Sequence, residues 1–235
     1  MLTSTLYPMT MSCMGHIKEN VREILSGIPS HVNVVAAAKS RTLDEVREVI
    51  DAGITIIGEN YLQDAKEIIA AIGAGATWHF TGHVQRNKVK HIVPLFDMIQ
   101  TVDSLELSRM INDHAAKHGK VMPVLIEVNS AKESQKSGVL PEAVEDLIRE
   151  ISPLKNIRVQ GLMTMGPFLD DMEGLRPYFR LTKELYDSLS KLDIPGVEMR
   201  HLSMGMSDSY LIAIKEGASL VRIGTKIFGP RESSR

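Results

Sequence analysis

The chain has 235 residues, enough for one or two domains, and its 43% hydrophobic and 24% charged content is that of a globular protein with a sizeable core. A net charge of −2 gives no electrostatic ground for binding nucleic acid or an anionic membrane, and no apolar run approaches the roughly 18 residues that a spanning helix needs. The single cysteine, Cys13, can form neither an internal disulfide nor a thiolate-rich metal site, in keeping with a reducing, cytoplasmic setting.

Residues 1–15 contain four methionines and no charged side chain. They lack the basic start and apolar core of a secretory signal and are expected to form a loose extension, with initiation at Met11 or Met14 an open alternative. A single folded domain is expected over residues 16–235. It opens with an extra N-terminal helix, whose stripe is Ile17, Val21, Ile24, Leu25 and Ile28. An apolar strand follows from Asn33 to Lys39, then a helix striped by Leu43, Val46, Val49 and Ile50, with Thr42 as N-cap and Gly53 ending it. A second strand at 55–58 and a helix at 62–72 come next, then a third strand at 76–80 and a short helix at 85–93. A fourth strand spans 97–102, and Ser104 caps a helix reaching Gly119. The fifth strand, 122–128, precedes a helix with Pro141 near its start; the sixth, 159–165, precedes a helix over 174–192. The seventh and eighth strands, 198–202 and 219–223, flank a helix at 209–216.

Short apolar strands alternating with helices imply a parallel sheet with right-handed crossovers. Eight such units within 235 residues match a single (β/α)8 TIM barrel. The rival, an open doubly wound sheet, usually carries a glycine fingerprint after its first strand, where this chain has Lys39-Ser-Arg-Thr42.

In a barrel, binding groups gather at the C-terminal strand ends, and phosphate is often held after strands seven and eight. Lys39 ends the first strand and Asn60 follows the second. His79 ends the third, Met163 the sixth, Ser203 to Ser207 the seventh, and Arg222 to Thr225 the eighth. Ser207, Gly224 and Thr225 offer hydroxyls and close backbone approach to an anion. An amine facing a phosphate site suggests a phosphorylated aldehyde held as a Schiff base, of which pyridoxal 5'-phosphate is the commonest. Arg222, facing a pyridine nitrogen, would keep it unprotonated and weaken the ring as an electron sink.

Each residue taken singly has a plain structural reading. A strand-end lysine is usually solvated, a Gly-Thr after a strand is usually a turn, and His79, His201, Met163 and Met165 read as packing residues. The argument rests on their convergence. His114 and His118 are spaced for a metal but lack a third ligand, so no metal site is expected. The basic cluster Arg86, Lys88, Lys90 and His91 has no interleaved aromatics.

Several motifs, in order, carry a resemblance. They are Ala37-Ala-Lys39, Gly58-Glu-Asn-Tyr61, Trp78-His-Phe-Thr-Gly82 with Gln85-Arg-Asn-Lys88, Ser137-Gly138 and Gly161-Leu-Met163. Leu202-Ser-Met-Gly-Met-Ser207 and Val221-Arg-Ile-Gly-Thr225 with Ile227-Phe-Gly229 complete the set. Over about residues 16–231 the chain resembles the pyridoxal phosphate homeostasis protein family. The resemblance implies an alanine racemase N-terminal-domain-like barrel without the racemases' C-terminal β-domain, and a Schiff base on Lys39. It implies phosphate contacts from Ser203, Ser207, Gly224 and Thr225, a ring contact from Arg222, and Asn60 lining the site. His79, Met163 and Met204 complete the cofactor-binding set, and Lys136 matches an auxiliary family lysine. The family's usual Lys-Thr-Lys-Pro is Lys39-Ser-Arg-Thr42 here, and Thr81 replaces a more usual isoleucine.

The function so implied is intracellular homeostasis of the cofactor, of vitamin B6 vitamers and of dependent amino- and keto-acid pools, without efficient turnover. Apoenzymes that use the cofactor are the expected acceptors. Two rivals remain: a racemase or lyase using Tyr61 as acid/base, and a cofactor-free Schiff-base aldolase acting on sugar phosphates.

Overall fold

The computed structural model describes residues 14–230. Its strands are β1 (Asn33–Ala37), β2 (Ile56–Glu59), β3 (Thr77–Phe80), β4 (Met98–Val102), β5 (Met122–Glu127), β6 (Ile157–Met163), β7 (Val197–Ser203) and β8 (Leu220–Ile223). All pair in parallel, each with the next, and β8 pairs with β1, closing the barrel. The helices are α1 (Met14–Ser26), α2 (Leu43–Asp51), α3 (Leu62–Ile72), α4 (Val89–Ile92), α5 (Leu105–Lys117), α6 (Val144–Ile151), α7 (Arg176–Leu189), α8 (Tyr210–Lys215) and α9 (Thr225–Phe228).

Local chemistry accounts for several boundaries. Thr42 Oγ1 accepts from the Glu45 N–H at 3.3 Å, and the Glu45 carboxylate accepts from the Thr42 N–H at 2.7 Å. This capping box starts α2 and stabilises it by about 1 kcal/mol. Ser104 caps α5 by accepting from the Leu107 N–H at 3.4 Å. Gly161 in β6 has φ +142°, and a Cβ there would lie 1.8 Å from the His201 carbonyl oxygen, so β6 and β7 approach more closely than any side chain allows.

Three expectations are corrected. The first helix begins at Met14, inside the segment read as a loose extension. The rest of that segment, residues 1–13, and the tail 231–235 lie outside the described residues. The sixth strand ends at Met163 rather than Met165, because apolar alternation continues past the last inter-strand bond, from the Thr164 N–H to the Ser203 carbonyl. Finally, the Gly-Thr step after β8, whose plain reading is a turn, opens the one-turn helix α9, too short to show a period in sequence.

Two apolar layers result. One lies between barrel and helices and contains Val34, Ala36, Ile57, Trp78, Phe80, Ile99, Ile126, Val221 and Ile223. Phe80 and Phe96 meet edge to face there, ring centroids 5.2 Å apart. The other fills the barrel with Val35, Met98, Leu125, Met163 and Leu220 packed on Ile56. Side chains alternate across a strand, so residues two further on share the inward face about 7 Å nearer the C-terminal mouth. From Met98, Leu125 and Leu220 those residues are Gln100, Glu127 and Arg222, all buried. The barrel interior thus turns from apolar to polar just below the mouth.

Candidate functional site

Barrel closure sets the first relationship. In the β1–β8 ladder Val35 pairs with Arg222 and Ala36 with Ile223. The next rung brings Ala37 beside Gly224, where a Cβ would touch the Ala37 carbonyl oxygen at 3.4 Å. Lys39, two residues beyond β1, therefore emerges next to the strand that carries Arg222, Gly224 and Thr225. It is half-buried, its Nζ 4.6 Å from the centroid of the Tyr61 ring, a cation–π contact. Ser40 takes the left-handed φ of +59° to turn the chain away.

The β7 and β8 loops form one cleft, lined by Ser207, Tyr210, Leu211, Thr225 and Lys226. Ser207 precedes a helix, α8, yet its hydroxyl is not engaged with that helix's first N–H groups. Instead, its Oγ accepts N–H groups from the neighbouring loop, Gly224 at 3.2 Å and Lys226 at 3.3 Å. Two backbone donors and a hydroxyl thus point at one place beside the exposed Thr225, an arrangement that can take an anionic oxygen. Gly205 makes the tight turn possible: its φ is +88°, and a Cβ would lie 2.5 Å from Ala213 Cβ and 2.9 Å from Tyr210 Cα.

Behind the cleft runs a buried polar chain. Arg222 is 6% exposed; its Nη1 donates to Ser203 Oγ at 2.6 Å and its Nη2 to the Thr164 carbonyl at 2.9 Å. Ser203 Oγ donates to Gln100 Oε1 at 2.7 Å, and Gln100 Nε2 lies 2.8 Å from His79 Nδ1. The Gln100 amide thus presents an N–H to Nδ1, leaving the proton of a neutral imidazole on Nε2. Burial, with His201 nearby, pushes His79 down to about 3. Burial likewise lowers Arg222 to about 10, with Glu127 opposing, so the guanidinium is charged at neutral pH.

This chain redirects two expectations. Ser203 was expected at the phosphate and His79 at the cofactor; their side chains are committed inside the barrel, where they orient Arg222. Both lie on the inward face near the ends of their strands, and a buried guanidinium needs acceptors. Met204, also expected at the cofactor, is fully buried in the core between barrel and helices.

On the β3–β6 side of the mouth lies a cavity of about 360 Å³, lined by Asn60, Glu127, Lys136, Met163, Met165 and Phe168, among others. Asn60 Oδ1 accepts from Thr81 Oγ1 at 2.8 Å. Asn129 holds the loop that carries Lys136: its Oδ1 accepts from the Glu133 N–H at 3.1 Å and its Nδ2 donates to the Glu133 carbonyl at 2.8 Å. Lys136 Nζ donates to the Gly166 carbonyl at 3.2 Å and is ion-paired with Glu133. The structure thus separates the expected residues. Lys39, Arg222, Gly224, Thr225 and Ser207 cluster around β1, β7 and β8, while Asn60, Met163 and Lys136 face the cavity.

Sequence reasoning missed Gln100, Glu127 and Glu59. The signal for the first two was a polar residue inside an apolar strand run, on the same face as inward neighbours two residues away. Glu59 sits on the other face of β2 with Ile57, fully buried, and among the described residues no side chain donates to its carboxylate; the nearest donor is the Asn60 backbone N–H. Burial and the nearby Asp64 raise it to about 8. Among the described residues, no group of three or more His, Cys, Asp and Glu could hold a metal, and no helix is long and apolar enough to cross a membrane.

Residues 13–232 match the family model described as alanine racemase, N-terminal domain. A protein of Aquifex aeolicus (strain VF5) named pyridoxal phosphate homeostasis protein is 40% identical over 200 residues, 85% of this chain and 87% of that protein. The solved structure of PipY from Synechococcus elongatus PCC7942 with PLP bound superposes with a TM-score of 0.83 at 28% identity, covering 91% of this chain and all of that one. Alanine racemase of Clostridium difficile 630 shares the fold, with a TM-score of 0.76 at 16% identity, and this chain covers 57% of its length. By the match of nearly its whole length to these relatives, the chain belongs to the pyridoxal phosphate homeostasis protein family, built on the alanine racemase N-terminal domain.

Proposed function

We propose that the chain binds pyridoxal 5'-phosphate at the C-terminal mouth of the barrel and serves its homeostasis rather than catalysing turnover. The observation that supports this reading is the β1–β8 closure, which brings the strand end leading to Lys39 beside the strand that carries Arg222, Gly224 and Thr225, with Ser207 bonded to Gly224. These residues fit the group. A phosphate needs converging N–H and O–H donors, and Ser207 already gathers the N–H groups of Gly224 and Lys226. Bound there, the cofactor supplies an aldehyde carbon that takes up a primary amine and a ring that draws electrons.

The chain's own residues do the rest. Lys39 is the covalent anchor. Ser207, Gly224 and Thr225 hold the phosphate, and Arg222 addresses the ring nitrogen. Ser203, Gln100 and His79 fix Arg222 in place as a charged donor, and a donor there leaves the nitrogen without a proton. Tyr61, the acid/base of the racemase alternative, offers Lys39 the face of its ring. The held cofactor is released or passed to apoenzymes that depend on it, within the cytoplasm, keeping vitamer and amino- and keto-acid pools in balance. The test is a visible absorption spectrum of the purified protein, followed by hydride reduction and mass mapping. A yellow protein with the label on Lys39 supports the reading. A colourless protein that cleaves a sugar phosphate, or a label elsewhere, overturns it.

A further inference from the structure

The mouth cavity contains a carboxylate that the cofactor reading leaves unused. Glu127, the last residue of β5, is 9% exposed and lines the cavity. No hydrogen bond from the described residues reaches its carboxylate, and its electrostatic neighbours are Asp103 after β4 and Arg222 on β8. Arg222 directs its hydrogen bonds to Ser203 and Thr164, and none of them reaches Glu127. The cavity's own cation, Lys136, is spent on Glu133 and the Gly166 carbonyl. Glu127, about nine-tenths buried and lining open space, thus has the Arg222 charge nearby but no hydrogen-bond donor among the described residues. Burial and Asp103 raise it to about 7, with Arg222 opposing. Around it stand Met163, Met165, Pro167, Phe168 and Met206, an apolar wall. Phe168 is 91% exposed at the rim.

We propose that this cavity is a binding site for a primary amine with an apolar body, whose ammonium group pairs with Glu127. The apolar chain lies against the methionines and Phe168. A free carboxylate on the ligand is disfavoured beside Glu127 and Glu133, the two carboxylates that line the cavity. Binding needs neither Lys39 nor a cofactor, so the site stands independently of the cofactor reading. A primary amine is also the class of group that competes with a lysine for an aldehyde, so the site would select what reaches the mouth.

The test is calorimetric titration of cofactor-free protein with n-hexylamine and with hexan-1-ol, its neutral counterpart. A hydrogen bond to a charged group implies roughly ten- to a hundredfold tighter binding of the amine. Glu127→Gln should bring the amine to the alcohol's affinity and leave the alcohol unchanged. Lys39→Ala should keep the amine preference, which separates this site from the covalent one. Leucine amide and Nα-acetyl-lysine amide then distinguish a metabolite's α-amine from a protein lysine, the tighter binder naming the source. Equal binding of hexylamine and hexan-1-ol by the wild type overturns the proposal, a comparison that requires no variant to fold. So does an amine preference that survives Glu127→Gln or disappears in Lys39→Ala.

Discussion

Removing the Ser207 hydroxyl tests the phosphate cleft most directly. Ser207 Oγ draws the N–H groups of Gly224 and Lys226 at 3.2 and 3.3 Å, so it both closes the β7–β8 corner and offers a donor to the cleft. If it grips a phosphate, Ser207→Ala deletes one hydrogen bond to a charged group, about 1.5–3 kcal/mol, or roughly ten- to a hundredfold in retention of the phosphorylated aldehyde. The unphosphorylated aldehyde should bind wild type poorly, because the cleft donors face nothing, and the substitution should hardly change that. The assay is equilibrium retention of both aldehydes by wild type, Ser207→Ala and Thr225→Val, followed by absorbance. Equal losses for the two aldehydes would refute the reasoning. Ser207 would then shape the corner through its two backbone partners without touching the ligand.

Three further outcomes are expected. Lys39→Ala should abolish covalent attachment while keeping phosphate-dependent, reversible binding in the cleft; mass mapping after hydride reduction should find no label, and a label transferred to Lys136 would reassign the anchor. Ser203→Ala should lower unfolding free energy by about 1–3 kcal/mol, because the buried Arg222 guanidinium loses an acceptor, as urea titration would show. It should leave discrimination between the two aldehydes intact, and loss of that discrimination would return Ser203 to the phosphate. Glu59 is raised in the folded state from 4.5 to about 8, so the native protein holds its proton where the unfolded chain has released it. Stability should therefore fall as pH rises from about 4.5 to about 8 through this group. Glu59→Gln should flatten that slope in thermal scans across pH, and an unchanged slope would mean that Glu59 has a partner.

Much of this architecture was legible in the sequence because it is local. A two-residue period marks strands, a 3.6-residue period marks helices, and Thr42 with Glu45 or Ser104 before Leu105 announces a helix start within four residues. Lys39 at the end of an apolar run, and Gly224-Thr225 at the end of another, were visible for the same reason. Once the barrel was inferred, their convergence followed from parallel topology alone.

What the chain's order could not reveal was decided across it. The partners of Ser207 come from residues 17 and 19 positions away, and those of Arg222 from β7 and the β6 loop, brought together when β8 pairs beside β7 in the barrel. Ser203 and His79 look like mouth residues by position. They became supports for Arg222 because the register turns them inward, and a buried guanidinium claims the nearest acceptor. Glu127 was hidden for the opposite reason. Nothing adjacent in sequence marks it as lacking a donor, since that shortage exists only where β4, β5, β6 and the loops around them enclose the space in front of it. Periodicity along the chain determined the elements and the end of the barrel where chemistry gathers. Register and desolvation, which belong to the closed barrel, decided which side chains face a ligand and which hold the others in place.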